Sequence, residues 1–416
     1  MNQTNYMEKP NITQFIRNSK LEYEKTSQSY KEYKKRFIYN ELKGRMIILY
    51  GMRGSGKTTL MFQKYLETNE DNRIYLHGEE LSILRINILD AIKETERIIG
   101  QNAVIFLDEI NAISNWDEQI KIAYDKYPKM LFYISGSSSI NLLESKKLLA
   151  RRAIYISIPM LSFREFIYLK YNILLDKFKL NTEDLLRSSM HYDIYIQNKL
   201  KEWDILKLIN EYIQTNSPYL LENDKSTLAD LVEKAIFSDI AKIRNIETST
   251  LSKFERLILI LSVSTKTSYE TIAKDLGISK SVVSEMLDLL EKVEIIKRVY
   301  PYKKGKTVAR KQWKYYFTIP IIRELYTKKM SIPESELKGT MREDIFVANF
   351  EKIFYHETID FVFDEYLIEI GSKNKTFKQF KEINTKLYKI IIYEGVDIIK
   401  KEDIIKMPFH IFYSII

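Results

Sequence analysis

Met46-Ile47-Ile48-Leu49-Tyr50-Gly51-Met52-Arg53-Gly54-Ser55-Gly56-Lys57-Thr58 is the stretch that decides the fold. Its second part matches G-x-x-x-x-G-K-[ST] in full, and its first part is the apolar strand such a loop needs before it. A helical stretch, Thr58–Thr68, leads away. Each position has a chemical reason. The glycines let backbone N–H groups turn inward on a phosphate. The following helix N-terminus adds its positive end. Lys57 can reach the β- and γ-phosphates of a nucleotide, and the Thr58 hydroxyl can ligate Mg²⁺. The candidate nucleotide-binding residues are therefore Gly51, Met52, Arg53, Gly54, Ser55, Gly56, Lys57, Thr58 and Thr59.

Working outward, Ala103-Val104-Ile105-Phe106-Leu107-Asp108-Glu109 is an apolar run that ends in two carboxylates. It follows the loop with one β-type run between. Asp108 then stands where a carboxylate linked to Mg²⁺ is needed, and Glu109 where a base can orient the attacking water. Met130–Ser135 is a further apolar run, ending in Ser135-Gly136-Ser137-Ser138-Ser139. Ser135 or Ser137 can meet the γ-phosphate or the water there. The same serines also suit a helix N-cap. With Arg45–Tyr50, Arg73–His77 and Ile154–Ile158, five short runs alternate with helical stretches. That alternation predicts a parallel sheet covered by helices.

Composition bounds the rest. At 416 residues the chain exceeds the roughly 250–300 that one core sustains, so several domains are expected. Cys is absent and His numbers 4, which excludes disulfides, thiol nucleophiles and Cys-ligated metal. No apolar run suits a membrane span, and the polar start lacks a signal core, so a cytoplasmic protein without membrane attachment is expected. Lys plus Arg number 65 against 56 Asp plus Glu, giving +9. The excess suits a polyanion, or a solvated surface with a Lys bias.

The phosphate loop, Leu107-Asp108-Glu109, Ile134-Ser135-Gly136-Ser137-Ser138, Arg152 and Pro159-Met160-Leu161-Ser162-Phe163-Arg164-Glu165-Phe166 occur in that order. Together they resemble the archaeal and bacterial AAA-type ATPases with a C-terminal DUF4143 domain, a group near the STAND-type P-loop ATPases. The Lys35-Arg36 stretch resembles the family's helix before the first strand. The resemblance implies an α/β fold: a P-loop NTPase parallel sheet with a helical lid, a winged-helix module and a small nuclease-like α/β domain. The corresponding segments are 1–40 (N-terminal helical), 41–165 (ATPase core), 166–250 (lid), 251–325 (winged helix) and 339–416 (nuclease-like). It implies ATP and Mg²⁺ as cofactors, ATP and ADP as ligands, and catalytic roles for Glu109, Lys57, Ser135 and Arg152. Arg152 would steady the γ-phosphate, or pair with an acidic neighbour. Double-stranded DNA and further copies of the chain are the candidate partners. A DNA-associated switch or motor is the first reading, and a signalling or defence ATPase acting on a protein is the alternative.

In 254–318 three helices and a basic hairpin are expected. Ser268 and Ser279 are N-cap residues and Gly277 closes the helix between them. This is a helix-turn-helix pattern. Its DNA-facing candidates are Lys280, Ser281 and Ser284, with Lys303, Lys304 and Lys306 in the hairpin. Arg298 and Lys297 belong to the same basic set, which is equally a solvated Lys-rich surface. Thr327 to Lys338 reads as a linker. Beyond it, Thr358–Phe363 and Tyr366–Gly371 read as a hairpin turning at Asp364-Glu365. That register places Asp360 opposite Glu369, where paired carboxylates would take a divalent ion. Gly339-x-x-x-Glu343 and Asp360…Glu369-x-Gly371 resemble the family's nuclease-like domain. Its catalytic lysine is replaced by Gly371, with Lys373 as the possible substitute, which argues against cleavage.

Overall fold

A computed structural model describes residues 11–136, 139–181, 184–241, 248–302, 313–330, 332–381 and 383–416. The chain divides into two compact units, Met1–Ile158 and Pro159–Ile416.

The first unit is built on five parallel strands: β1 (Met46–Tyr50), β2 (Arg73–His77), β3 (Val104–Asp108), β4 (Leu131–Ser135) and β5 (Ile154–Ser157), in the order β2-β3-β4-β1-β5. They lie within a residue of where the apolar runs place them. Buried on both faces, strands of this kind are continuous in apolar residues and bounded by polar ones, so their ends are sharp. Ile47 pairs with Tyr133 on one side and Ile154 on the other, so the end of β4 lies beside the phosphate strand. One core lies on each face of the sheet. Ile48, Ile105 and Phe132 belong to one, and Leu49, Phe62, Tyr75 and Phe106 to the other.

In the second unit no strand interrupts the helices between Pro159 and residue 241 among the described residues. The helices Thr248–Val263, Tyr269–Leu276 and Lys280–Lys292 follow. Ser268 and Ser279 accept the cap bonds from Thr271 N and Val282 N, and Gly277 closes its helix at φ 63°. Strands β6 (Ile296–Pro301) and β7 (Lys314–Phe317) form the expected antiparallel pair.

Two features depart from the sequence reading. First, the polar stretch expected as a linker is not extended. A helix ends at Thr327, a turn covers Lys328–Met330, and the helix Glu334–Asn349 starts inside it. The polar residues form its outer face, while Leu337, Met341 and Ile345, four apart, are buried. Second, the hairpins expected in the separate segments 251–325 and 339–416 share one sheet. β8 (Ile353–Tyr355) pairs in parallel with β6, joining Tyr300 to Phe354. Beyond it lie β9 (Phe361–Phe363), β10 (Tyr366–Gly371), β11 (Tyr388–Tyr393), β12 (Ile399–Lys401) and β13 (Ile404–Pro408). All eight strands make one mixed sheet, β12-β13-β11-β10-β9-β8-β6-β7. Among the described residues no helix is long and apolar enough to cross a membrane.

The stretch Pro159–Phe166 lies in this unit as an anchor. Leu161 exchanges backbone and side-chain bonds with Asn216 and Tyr212, at 2.7 and 2.9 Å. Ser162 caps the helix Phe163–Tyr171.

Candidate functional site

β1 delivers the chain to Gly51, where φ turns to 149°, and Gly54 and Gly56 follow at 78° and 91°. A β-carbon at Gly51 would stand 2.7 Å from the Ile158 carbonyl and 3.2 Å from Ser55 Oγ. Lys57 opens the helix Lys57–Glu67 and donates into the loop, to the carbonyls of Gly51 (2.8 Å) and Met52 (3.0 Å). Arg36, just before a short turn at Phe37–Glu41, donates to the Ser55 carbonyl at 2.7 Å and is 6% exposed. Ser55 Oγ is buried and makes no hydrogen bond. A ring of glycines with an inward ammonium and an unsatisfied hydroxyl is a cradle whose donors fit a phosphate.

The acid pair lies at the neighbouring strand end. Asp108 is 3% exposed. Its Oδ2 accepts from Thr58 Oγ1 (2.9 Å) and Tyr75 Oη (2.6 Å), and its Oδ1 from Ser135 Oγ and Glu109 N. Glu109 sits at φ 50°, a left-handed conformation that non-glycine residues adopt at some cost. The neighbours are shaped around it. A β-carbon on Gly78 would overlap the Glu109 carbonyl, and one on Gly136 would overlap the Asn111 carboxamide. Tyr75, Gly78 and Asn111 were not singled out by the sequence. Tyr75 reads there as an ordinary buried strand aromatic, and nothing local marks the other two.

Two expected catalytic side chains are placed otherwise. Ser135 is buried and its hydroxyl is given to Asp108, so it supports the carboxylate rather than facing a phosphate. Ser137 and Ser138 lie outside the described residues. Arg152 donates through Nε and Nη2 to the two oxygens of Asp125, at 2.8 Å each. It stands just before β5, and Asp125 lies in the last turn of the helix before β4. Both therefore sit at the edge where the parallel strands start. The phosphate loop sits where they end, about 16 Å away for five-residue strands at ~3.3 Å per residue. Arg152 pairs with an acidic neighbour and does not reach the loop of its own chain.

In the second unit the hairpin register is as expected, Phe363 opposite Tyr366. Asp360 Oδ2 accepts from Ile370 N at 2.7 Å, and Asp360 N donates to Glu369 Oε2 at 3.2 Å. Lys375, rather than Lys373, forms an ion pair with Glu369. Gly371 makes room for it, since a β-carbon there would overlap the Lys375 side chain. Lys406 holds that loop by donating to the carbonyls of Lys373 and Lys375, at 3.3 and 2.8 Å. Glu343 accepts from the Tyr316 hydroxyl at 2.9 Å. Burial, and then the charge of Asp360, push the Glu343 and Glu369 carboxyls up to about 7. Among the described residues no group of three or more His, Asp or Glu is arranged to hold a metal ion.

The expected DNA-facing cations are partly engaged within the unit. Lys280 forms an exposed ion pair with Glu270, Ser281 shares a hydroxyl bond with Ser279, and Ser284 is half-buried. Arg298 is buried between Asp288, Glu291 and the Trp313 ring. Lys297 donates to the carbonyls of Val347 and Phe350, closing the helix that ends there. These two are structural. Lys303, Lys304 and Lys306 lie outside the described residues.

Known proteins agree with this geometry at the level of family. A family described as AAA domain matches residues 43–167, and one described as a domain of unknown function (DUF8612) matches 201–318. The second match falls on the helices and hairpin before residue 339. The uncharacterized protein MJ1637 of Methanocaldococcus jannaschii is 30% identical over 344 residues, covering 76% of this chain and 72% of its own. The chain belongs to the family of MJ1637. A second uncharacterized protein of that organism, MJ1544, is 25% identical over 418 residues, covering 88% of this chain and 86% of its own. The first unit of this family member is an AAA-type P-loop ATPase fold, with an additional sheet in the second unit. Solved structures with looser likeness include the Aeropyrum pernix ORC1 protein in complex with DNA (TM-score 0.31, 12% identity, 79% of this chain and 93% of that one). The Thermotoga maritima RuvB Holliday junction branch migration motor is another (TM-score 0.27, 15% identity, 70% and 93%). Likeness at these scores carries no argument about function.

Proposed function

We propose that the chain binds ATP with Mg²⁺ at Gly51–Thr59 and hydrolyses it. The observation that carries this reading is the Asp108 carboxylate bonded to the Thr58 hydroxyl at 2.9 Å, one residue before a left-handed Glu109. Lys57 leaves the loop carbonyls to neutralise β- and γ-phosphate oxygens, and Ser55 and the inward N–H groups complete the cradle. Thr58 and Asp108 are the residues that would hold Mg²⁺, whose charge offsets that of the phosphates. Glu109 orients the attacking water and accepts its proton. ATP is preferred to GTP because the sequence has no Asn/Thr-Lys-x-Asp motif to read guanine. In the test, Lys57→Ala loses tight ATP binding, while Glu109→Gln keeps binding and loses roughly 100-fold or more in phosphate release. Near-normal turnover in Glu109→Gln would remove the base assignment.

Features of the second unit bear on the use made of hydrolysis. The capped helix pair and the basic segment 303–312 support a winged-helix reading of 251–325, and with it a DNA-associated switch or motor. The internal pairing of Lys280, Lys297 and Arg298 favours the second reading, a STAND-like signalling or defence ATPase with a protein partner. For 339–416 the nuclease-like resemblance is kept as architecture, with no cleavage assigned. ATPase rates with and without duplex DNA, at two salt concentrations, separate the two. Stimulation that falls steeply with salt supports DNA, and rates indifferent to DNA support a protein partner.

A further inference from the structure

We propose that Tyr75 is a positioning residue for the site's acidic side chain: its phenol holds Asp108 in the orientation that faces Thr58. The inference rests on the reading of the loop as a Mg²⁺–nucleotide site and adds a residue that no motif contains. An aspartate's terminal torsion is broad, with no steep well of its own, so a carboxylate that must face one hydroxyl has to be held by its neighbours. A carboxylate offers about four lone-pair positions. Here Thr58, Tyr75, Ser135 and the Glu109 amide each donate to one of the two oxygens. Thr58 is the donor that metal binding redirects. Ser135 and the Glu109 amide both act on Oδ1, so Tyr75 is what fixes Oδ2.

The ring is built to be immobile. Tyr75 lies on β2, whose parallel register sets it beside Phe106 and His77 beside Asp108. It stacks on Phe62 at 4.4 Å and 5°, packs on Tyr23 at 4.7 Å, and is 1% exposed. A phenol so buried must spend its O–H on a partner, and Asp108 Oδ2 at 2.6 Å is that partner.

The test is Tyr75→Phe in the full chain, which keeps the ring and removes one oxygen. Binding of a non-hydrolysable ATP analogue is followed by calorimetry against Mg²⁺ concentration and in EDTA, with the thermal midpoint recorded alongside. The Mg²⁺ needed for half of the tightening should rise roughly five- to tenfold, with affinity in EDTA changed less than twofold. Tyr23→Phe is the control. It removes an equally short phenol bond, to Glu80 at 2.6 Å, and should move the thermal midpoint while leaving the Mg²⁺ curve in place. A Tyr75→Phe curve that superimposes on the parent's, with Mg²⁺-dependent binding intact in the parent and lost in Lys57→Ala, overturns this proposal alone. A parent whose nucleotide binding is untouched by Lys57→Ala overturns the site reading, and this proposal with it.

Discussion

The backbone carbonyl of Glu109 fills the space where a β-carbon on Gly78 would stand. Glycine is therefore required just after β2 for the residue just after β3 to hold its left-handed turn at φ 50°. Gly78→Ala should push that turn away and misplace the carboxylate. Phosphate release is expected to fall roughly 10- to 100-fold, with ATP affinity within about twofold of the parent, since a displaced base costs turnover rather than binding. Parallel measurement of binding and turnover checks it, and unchanged turnover would mean that the turn has another support.

Arg152→Ala should leave ATP binding intact. The arginine is committed to Asp125 at the far edge of the sheet, and the pair is partly exposed. Its loss is expected to leave the midpoint of a denaturant titration close to the parent's. A large loss of ATP affinity would place the arginine in the nucleotide site after all.

Arg323 and Asp344 are both fully buried, and the guanidinium also donates to the carbonyls of Leu261 and Ser262, at 2.6 and 3.1 Å. Asp344→Ala leaves a buried cation without its partner and should cost roughly 3–5 kcal/mol in urea unfolding. Replacing both residues by apolar ones of similar volume should cost less than the single change. A double variant weaker than the single one would count against desolvation as the dominant cost.

The carboxyls of Glu343 and Glu369, pushed up to about 7, give a pH signature. An ordinary glutamate in the unfolded chain titrates near 4.3. Between these values the folded state holds protons that the unfolded state has released, so stability falls as pH rises from about 4.5 through 7 and then levels. Glu343→Gln removes part of that slope. Relative to the parent it should gain on the order of 1–3 kcal/mol between pH 4.5 and pH 8. Parallel unfolding curves at both pH values would contradict the raised carboxyl.

The sequence alone determined what depends on neighbours a few residues apart. The phosphate loop, the five strands flanking it, the Ser268, Gly277 and Ser279 caps and the Phe363–Tyr366 register are all written in local periodicity, capping chemistry and turn length. Tertiary structure decided what depends on which ends meet. Arg152 faces Asp125 because parallel strands all begin at one edge of a sheet, and the motif order says nothing of edges. Ser135 and Tyr75 converge on Asp108 only because β4 and β2 flank β3. Lys375 reaches Glu369 through a loop that folds back over Gly371, a contact that spacing along the strand does not mark. Lys297 looks like a solvent-facing cation until the end of the helix Glu334–Asn349 brings the Val347 and Phe350 carbonyls to it, and Arg298 until Asp288, Glu291 and Trp313 enclose it. Local signals are set by torsion and by bonds within a turn. The identity of a side chain's partner is set by the pairing of distant strands, whose energy is shared among many contacts and marked at no single residue.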